Sequence, residues 1–144
     1  MSTRRTITAI TLTALATAAA GCGGGGGPES AATDFFKAGA NGDGEKVCAG
    51  LTKERRDELT KALKAAKQDG GCAKGLSKIL DSTTTDESQK EVEKAISDGK
   101  ITTKEDGDKA TVSITYKGDT QKVNMVKEDG DWKVDQSLTG GSSN

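Results

Sequence analysis

The sequence contains no histidine, a single proline and only four aromatic residues, Phe35, Phe36, Tyr116 and Trp132. Without histidine, the chain lacks the commonest general base at neutral pH and the commonest metal ligand. Its charges nearly balance, with 21 Lys and Arg against 22 Asp and Glu, so it has no basic excess of the kind that binds nucleic acid. We therefore expect no nucleic acid partner, no metal ion and no cofactor.

The start of the chain lacks an apolar run long enough to cross a bilayer. The uncharged stretch 7–20 has 14 residues, whereas a membrane-spanning helix needs about 20. Arg4 and Arg5 precede this stretch and small residues end it, which is typical of an export signal. The arginine pair also resembles a twin-arginine signal, so the sequence leaves both export routes open.

Cys22 follows this apolar stretch directly. The segment Ala19–Cys22, AAGC, resembles the lipobox of bacterial lipoproteins, in which the signal is cut before a cysteine that then carries acyl chains. The position three before the cysteine usually holds a large aliphatic residue and here holds alanine, which leaves an ordinary cleavable signal as the alternative. Gly23 to Gly27 would form a flexible tether. We predict a signal peptide over 1–21 and a lipidated tether over 22–29.

Such a protein would reside in the cell envelope, on the outer face of the cytoplasmic membrane. In that oxidising compartment the two remaining cysteines, Cys48 and Cys72, form an even pair, and we predict that they are bonded. Closing a loop of about 25 residues would stabilise the fold by roughly 3 kcal/mol. Two thiols without histidine fall short of a zinc site, and a nucleophilic cysteine would lack its usual base.

The first half of the mature chain has the apolar spacing of helices. A first helix is predicted over 30–40, and Asp43 and Thr52 are placed to cap a second and a third. Another helix is predicted over 72–80, with Ile79 among its inward residues.

The next segments are less regular. The polar residues 81–89 predict a loop, and 90–97 fit either one or two helical turns or a short strand.

Three turns, Asp106-Gly107, Gly118-Asp119 and Asp129-Gly130, separate segments that alternate between apolar and polar residues. The first turn would place Ile101 opposite Val112. The second would place Val112 opposite Met125 and Ile114 opposite Val123, and the third would place Met125 opposite Val134 and Lys127 opposite Trp132.

All three registers place the same apolar side chains on one face of a four-stranded antiparallel meander: Ile101, Val112, Ile114, Val123, Met125, Trp132 and Val134. Helices followed by a one-sided sheet indicate an α+β domain, with the N-terminal helices packed on the apolar face. We assign this single domain to 30–138 and a flexible tail to 139–144.

The segments AATDFFKAGANGDGEKVCAGLT, GGCAKGL and DGDKATVSITYKGDTQKVNMVKEDGDWKVD resemble small secreted or lipid-anchored bacterial domains of the nuclear transport factor two-like superfamily. This resemblance implies a cystatin-like α+β fold, in which a curved sheet wraps over helices. It also implies a cone that holds a ligand or is filled by side chains, and dimerisation through the sheet. The side chains that would line an open cone are Phe35, Phe36, Val112, Ile114, Tyr116, Met125 and Trp132.

Three functions follow as hypotheses. The first is a noncatalytic, lipid-anchored domain that binds an unknown protein or has an accessory role in the envelope. The second is a carrier or sensor of a small apolar ligand in the cone. The third, an isomerase-like enzyme, would use Tyr116 as a hydrogen-bond donor with Asp34 or Asp135 as the carboxylate, although both carboxylates are expected to be exposed. No motif identifies a catalytic residue.

Overall fold

The computed structural model describes residues 26–136, which form five helices followed by one sheet. The helices are α1 (Pro28–Ala40), α2 (Gly44–Gly50), α3 (Lys53–Ala65), α4 (Gly71–Thr83) and α5 (Asp86–Asp98). The strands are β1 (Lys100–Asp106), β2 (Lys109–Tyr116), β3 (Asp119–Glu128) and β4 (Asp131–Val134), paired antiparallel in the order β1-β2-β3-β4. The predicted α+β architecture is confirmed. The predicted signal segment, Cys22 and the tail 139–144 lie outside the described residues.

Helices α2 and α3 begin at the capping side chains that the sequence indicated. The carboxylate of Asp43 accepts a hydrogen bond of 3.0 Å from the backbone N–H of Lys46, and the Thr52 hydroxyl accepts one of 3.4 Å from the backbone N–H of Arg55. These bonds satisfy N–H groups that a helix leaves free in its first turn. Pro28 opens α1, so the first turn of α1 includes the last two residues of the predicted tether.

The polar segment 81–89 is not the loop that its composition predicted. It contains the end of α4 and the start of α5, joined at Thr84 and Thr85. Thr85 and Ser88 form a capping box, and Asp86 and Glu87 add negative charge to the first turn, where the helix dipole favours it. Segment 90–97 is therefore helical, and the strand alternative for it was wrong.

Two of the three predicted hairpin registers were wrong by two residues, and the third was correct. The turns are Gly107-Asp108 and Lys117-Gly118, so Val112 lies opposite Thr103 and Val123. Lys117 and Gly118 both have positive φ, as the two central residues of a type I′ turn require. Ile101 consequently faces Ile114 rather than Val112, Val112 does not face Met125, and Ile114 does not face Val123.

The apolar face survives this correction because a shift of two residues leaves every side chain on its original side. Five of the seven residues predicted for this face are buried, and Ile101 and Trp132 are half-buried against them. Ala110 joins them as a small buried residue that the pattern did not single out. The registers Met125 opposite Val134 and Lys127 opposite Trp132 are confirmed.

The connection between α2 and α3 covers one edge of the sheet. Leu51 is completely buried and pairs with Val134 of the edge strand β4. The next N–H, that of Thr52, donates to the Val134 carbonyl over 3.0 Å, and Arg55 Nε donates to Asp135 Oδ1 over 3.1 Å. The helical layer and the sheet are therefore joined by backbone and side-chain bonds as well as by apolar contact.

A disulfide between Cys48 and Cys72 joins α2 to α4, as predicted, and both cysteines are buried. The two helices also approach closely at Gly44. A Cβ atom at this position would lie 2.6 Å from the Ala73 carbonyl oxygen and would collide with the backbone nitrogen of Ser77. Gly44 therefore allows the contact that the disulfide secures.

Two Gly→Ala substitutions should have opposite effects on stability. We expect Gly44→Ala to lower the free energy of unfolding by about 1–3 kcal/mol, because backbone atoms of α4 must move away. Gly39→Ala, whose Cβ would meet only Val47 Cγ2 at 4.0 Å, should raise it by about 0.5–1 kcal/mol through helix propensity. Urea unfolding measures both, and equal effects of the two substitutions would contradict the packing described for α2 and α4.

Candidate functional site

An apolar groove opens on the helical side of the molecule. It has a volume of about 330 Å³ and lies between α1, α2, α4 and the start of α5. Its apolar lining consists of Phe35, Phe36, Val47, Leu76, Leu80 and Val92. This volume is at the lower end of the range for small-molecule sites, and we call the feature the helix groove.

The floor of the helix groove comes from consecutive aromatic residues of α1. The rings of Phe35 and Phe36 meet edge to face, with centroids 6.2 Å apart and an angle of 77° between their planes. Both side chains are half-buried against the core, so each packs inward on one side and faces the groove on the other. A Cβ atom at position 50 would lie 2.9 Å from Cδ2 of Phe35, so Gly50 leaves room for this ring at the end of α2.

The wall formed by α5 is the least firmly packed part of the groove. No residue of α5 is fully buried, and Val92, Ala95 and Ile96 are half-buried. An exposed ion pair of 2.8 Å joins Glu91 to Lys117 at the end of β2, and this bond raises the pKa of Lys117. Exposed ion pairs contribute little to stability. The α5 wall can therefore move with less loss of packing than the disulfide-linked α2 and α4.

Polar groups at the rim of the groove already bond within their own helices or turns. The Thr83 hydroxyl donates to the Ile79 carbonyl over 2.9 Å, and the Ser88 hydroxyl donates to the Thr85 carbonyl over 2.7 Å. Among the described residues that line the groove, none is Asp, Glu, Lys or Arg. These residues therefore offer a ligand mainly apolar contact.

Residues 20–135 match the family described as Domain of unknown function (DUF4878). The chain belongs to this family. The match includes the whole helical layer and sheet and ends just after β4. No curated protein and no solved structure gives a significant match to the chain.

The DUF4878 domain brings together only part of the predicted lining. Phe35 and Phe36 line the helix groove, and Phe35 also lines a second cleft of about 300 Å³ with Trp132. Val112 and Met125 are at most 1% exposed, and with Ile114 they fill the space between the sheet and the helices. Apolar space accessible to a ligand therefore lies between helices and beside Trp132 at the β4 edge, rather than against the centre of the sheet.

The residues considered for isomerase chemistry lie apart from the helix groove. Tyr116 is half-buried at the end of β2, with the Lys117 ammonium group 5.0 Å from its ring centre. Asp34 is exposed on α1, as expected. Asp135 is partly buried, and its carboxylate accepts hydrogen bonds from Arg55 Nε and the Thr52 hydroxyl. Asp135 thus joins α3 to the end of the sheet.

Neither a membrane-spanning helix nor a metal-binding cluster occurs within residues 26–136. No helix in this range combines the length and apolar character needed to cross a bilayer. No group of three or more His, Cys, Asp or Glu side chains comes together there in a way that could hold a metal ion.

Sequence reasoning missed the part of the groove formed by the last turn of α4 and the start of α5. Thr83, Thr84 and Ser88 belong to the segment predicted to be a loop, and Ile79, predicted to face inward, is 36% exposed. The available signal was the threonine at position 85 followed by two acidic residues and a serine, which is typical of a helix start. Recognising it would have removed the strand alternative for the segment that contains Val92.

Proposed function

We propose that this DUF4878 protein is an exported, lipid-anchored, noncatalytic domain that binds a protein or has an accessory role in the cell envelope. The observation that carries the proposal is the buried disulfide between α2 and α4. Structural disulfides persist in oxidising compartments and are rare in the cytosol, so the bond supports folding outside the cytoplasm. It is consistent with the export signal inferred from residues 1–21.

The same bond leaves one cysteine for another role. Cys48 and Cys72 are used in the fold, whereas Cys22 follows the apolar stretch 7–20 and precedes five glycines. Acylation of Cys22 would anchor the protein at the outer face of the cytoplasmic membrane, because two or more acyl chains give stable membrane binding. A short glycine tether would keep the domain close to that surface.

The position of the carboxylates supports a noncatalytic role. A carboxylic acid that donates a proton near neutral pH needs a raised pKa in an apolar pocket. Among the described residues that line the helix groove, none is Asp or Glu, and Asp43 and Asp57 pair with lysines at the surface. We therefore propose binding rather than catalysis, and no cofactor.

We also infer kinship with the nuclear transport factor two-like superfamily. The packing of helices against one face of a four-stranded antiparallel meander supports this inference. Fold similarity is a weak guide to function, so the kinship adds no substrate or catalytic residue to the proposal.

The anchor can be tested with the variant Cys22→Ser in the full chain. We expect the parent chain to incorporate a radiolabelled fatty acid and to sediment with membranes. The variant should lose the label and move to the soluble envelope fraction, because no acyl chain holds it. Fractionation of spheroplasts and autoradiography measure both properties.

A double variant, Cys48→Ser with Cys72→Ser, controls for the loss of cysteine as such. It should keep the label, since acylation requires Cys22 alone. Firm membrane association of Cys22→Ser, or equal labelling of the parent and Cys22→Ser, would contradict the proposed anchor.

The helix groove favours a second candidate, a carrier or sensor of a small apolar molecule. Phe35, Phe36, Leu80 and Val92 give the groove an apolar lining, and its volume suits a small ligand. The weakly packed α5 wall would allow entry. This candidate places the ligand between helices, away from the filled space over the sheet.

A retained ligand would appear as extra mass. If the carrier candidate is correct, the exported Cys22→Ser chain should have a greater mass when native than when denatured without reduction, because denaturation releases the ligand. Val92→Trp should abolish the difference by filling the groove, whereas Val126→Trp, on the other face of the sheet, should not. A bare native chain would contradict the carrier candidate and favour protein binding.

A further inference from the structure

The two edges of the sheet differ in how they are covered. Leu51 and Thr52 lie along β4, whereas no described segment between residues 26 and 136 hydrogen-bonds to the outer side of β1. Six of the seven residues of β1 are exposed. A strand edge of this kind is a template for pairing with another strand.

The register with β2 identifies which backbone groups face outward. Asp106 and Lys109 flank a two-residue turn, so they form a hydrogen-bonded pair, and such pairs then alternate along the ladder. Ile101, Thr103 and Glu105 occupy the alternate positions, so their N–H and C=O groups point away from β2. Three donors and three acceptors are thus available along this edge.

Charge along β1 is arranged with opposite signs at its two ends. The strand reads KITTKED, with Lys100 at its start and Glu105 and Asp106 at its end. In an antiparallel pairing of two such strands centred on Thr103, Lys100 of each copy lies opposite Asp106 of the other. Opposite charges at facing positions stabilise a strand pair, and like charges destabilise it.

The neighbouring registers are disfavoured by the same charges. A shift of two residues in one direction places Lys104 opposite Lys104 of the second copy. A shift in the other direction places Lys100 opposite Lys104. A shift of one residue would bring the free N–H and C=O groups out of alignment. The pattern therefore selects the register centred on Thr103.

We infer that β1 pairs antiparallel with β1 of a second copy of this chain, joining two sheets into one of eight strands. In this register Ile101, Thr103 and Glu105 form hydrogen-bonded pairs with Glu105, Thr103 and Ile101 of the second copy, so every outward group gains a partner. The contact is two-fold symmetric and uses the same residues on both copies, so it closes as a dimer.

The start of α1 lies beside the helical side of β1. A cleft of about 530 Å³ lies between the beginning of α1 and the inner side of β1, lined by Pro28, Thr33, Thr103 and Glu105 among others. Both helical layers lie on the same side of the joined sheet, because residues facing one another in an antiparallel pair share a face. The two clefts then adjoin across the symmetry axis.

Cysteine cross-linking in the exported full chain tests the pairing. Facing residues in a hydrogen-bonded pair have Cα atoms about 5.5 Å apart, which is within the range of a disulfide. Thr103→Cys should therefore give a disulfide-linked dimer on a non-reducing gel. Thr120→Cys is the matched control: this exposed threonine lies two strands from the edge, so its two copies would be more than about 20 Å apart.

Charge exchange supplies a second readout. In the Thr103→Cys background, Lys100→Asp and Asp106→Lys should each reduce the cross-linked fraction several-fold, and the two together should restore it. An intact Cys48–Cys72 bond in each variant verifies its folding. Equal cross-linking of Thr103→Cys and Thr120→Cys would overturn the inference. So would a double charge variant whose cross-linked fraction is no higher than that of either single charge variant.

Discussion

The bond between Cys48 and Cys72 is the constraint on which the rest of the structure depends. The chain has few large apolar side chains, and all four of its aromatic residues are only half-buried. Closing a loop with a sequence separation of 24 residues contributes roughly 3 kcal/mol, a large part of the about 5–15 kcal/mol that stabilises a typical domain. The loop contains all of α3, so a single bond restricts three helices.

The consequences of this bond extend to both the groove and the sheet. Because α2 is fixed on α4, the segment after α2 carries Leu51 onto β4 and closes that edge of the sheet. The fixed pair also forms one wall of the helix groove, opposite the weakly packed α5. Residues 26–136 thus combine a disulfide-linked half with an open groove and an uncovered β1 edge.

Local patterns predicted much of this fold. Asp43 and Thr52 cap their helices as expected, and the apolar face of the sheet was correct because period-two alternation does not depend on the exact turn. Two hairpin registers were wrong because the turn glycine, Gly107 or Gly118, has a polar residue on each side, and the choice of neighbour moves the facing pairs by two residues. The groove could not be predicted, since its walls meet only in three dimensions and α5 begins in a polar segment.

The measurement that tests this account most directly is the thiol state of Cys48 and Cys72 in growing cells. Cells producing the full chain would be quenched in acid, and the protein would be denatured without reductant, alkylated and mapped by peptide mass. The account predicts that neither cysteine is alkylated unless the protein is first reduced. Alkylation of both without reduction would contradict it, because α2 and α4 would then be unlinked where the protein resides.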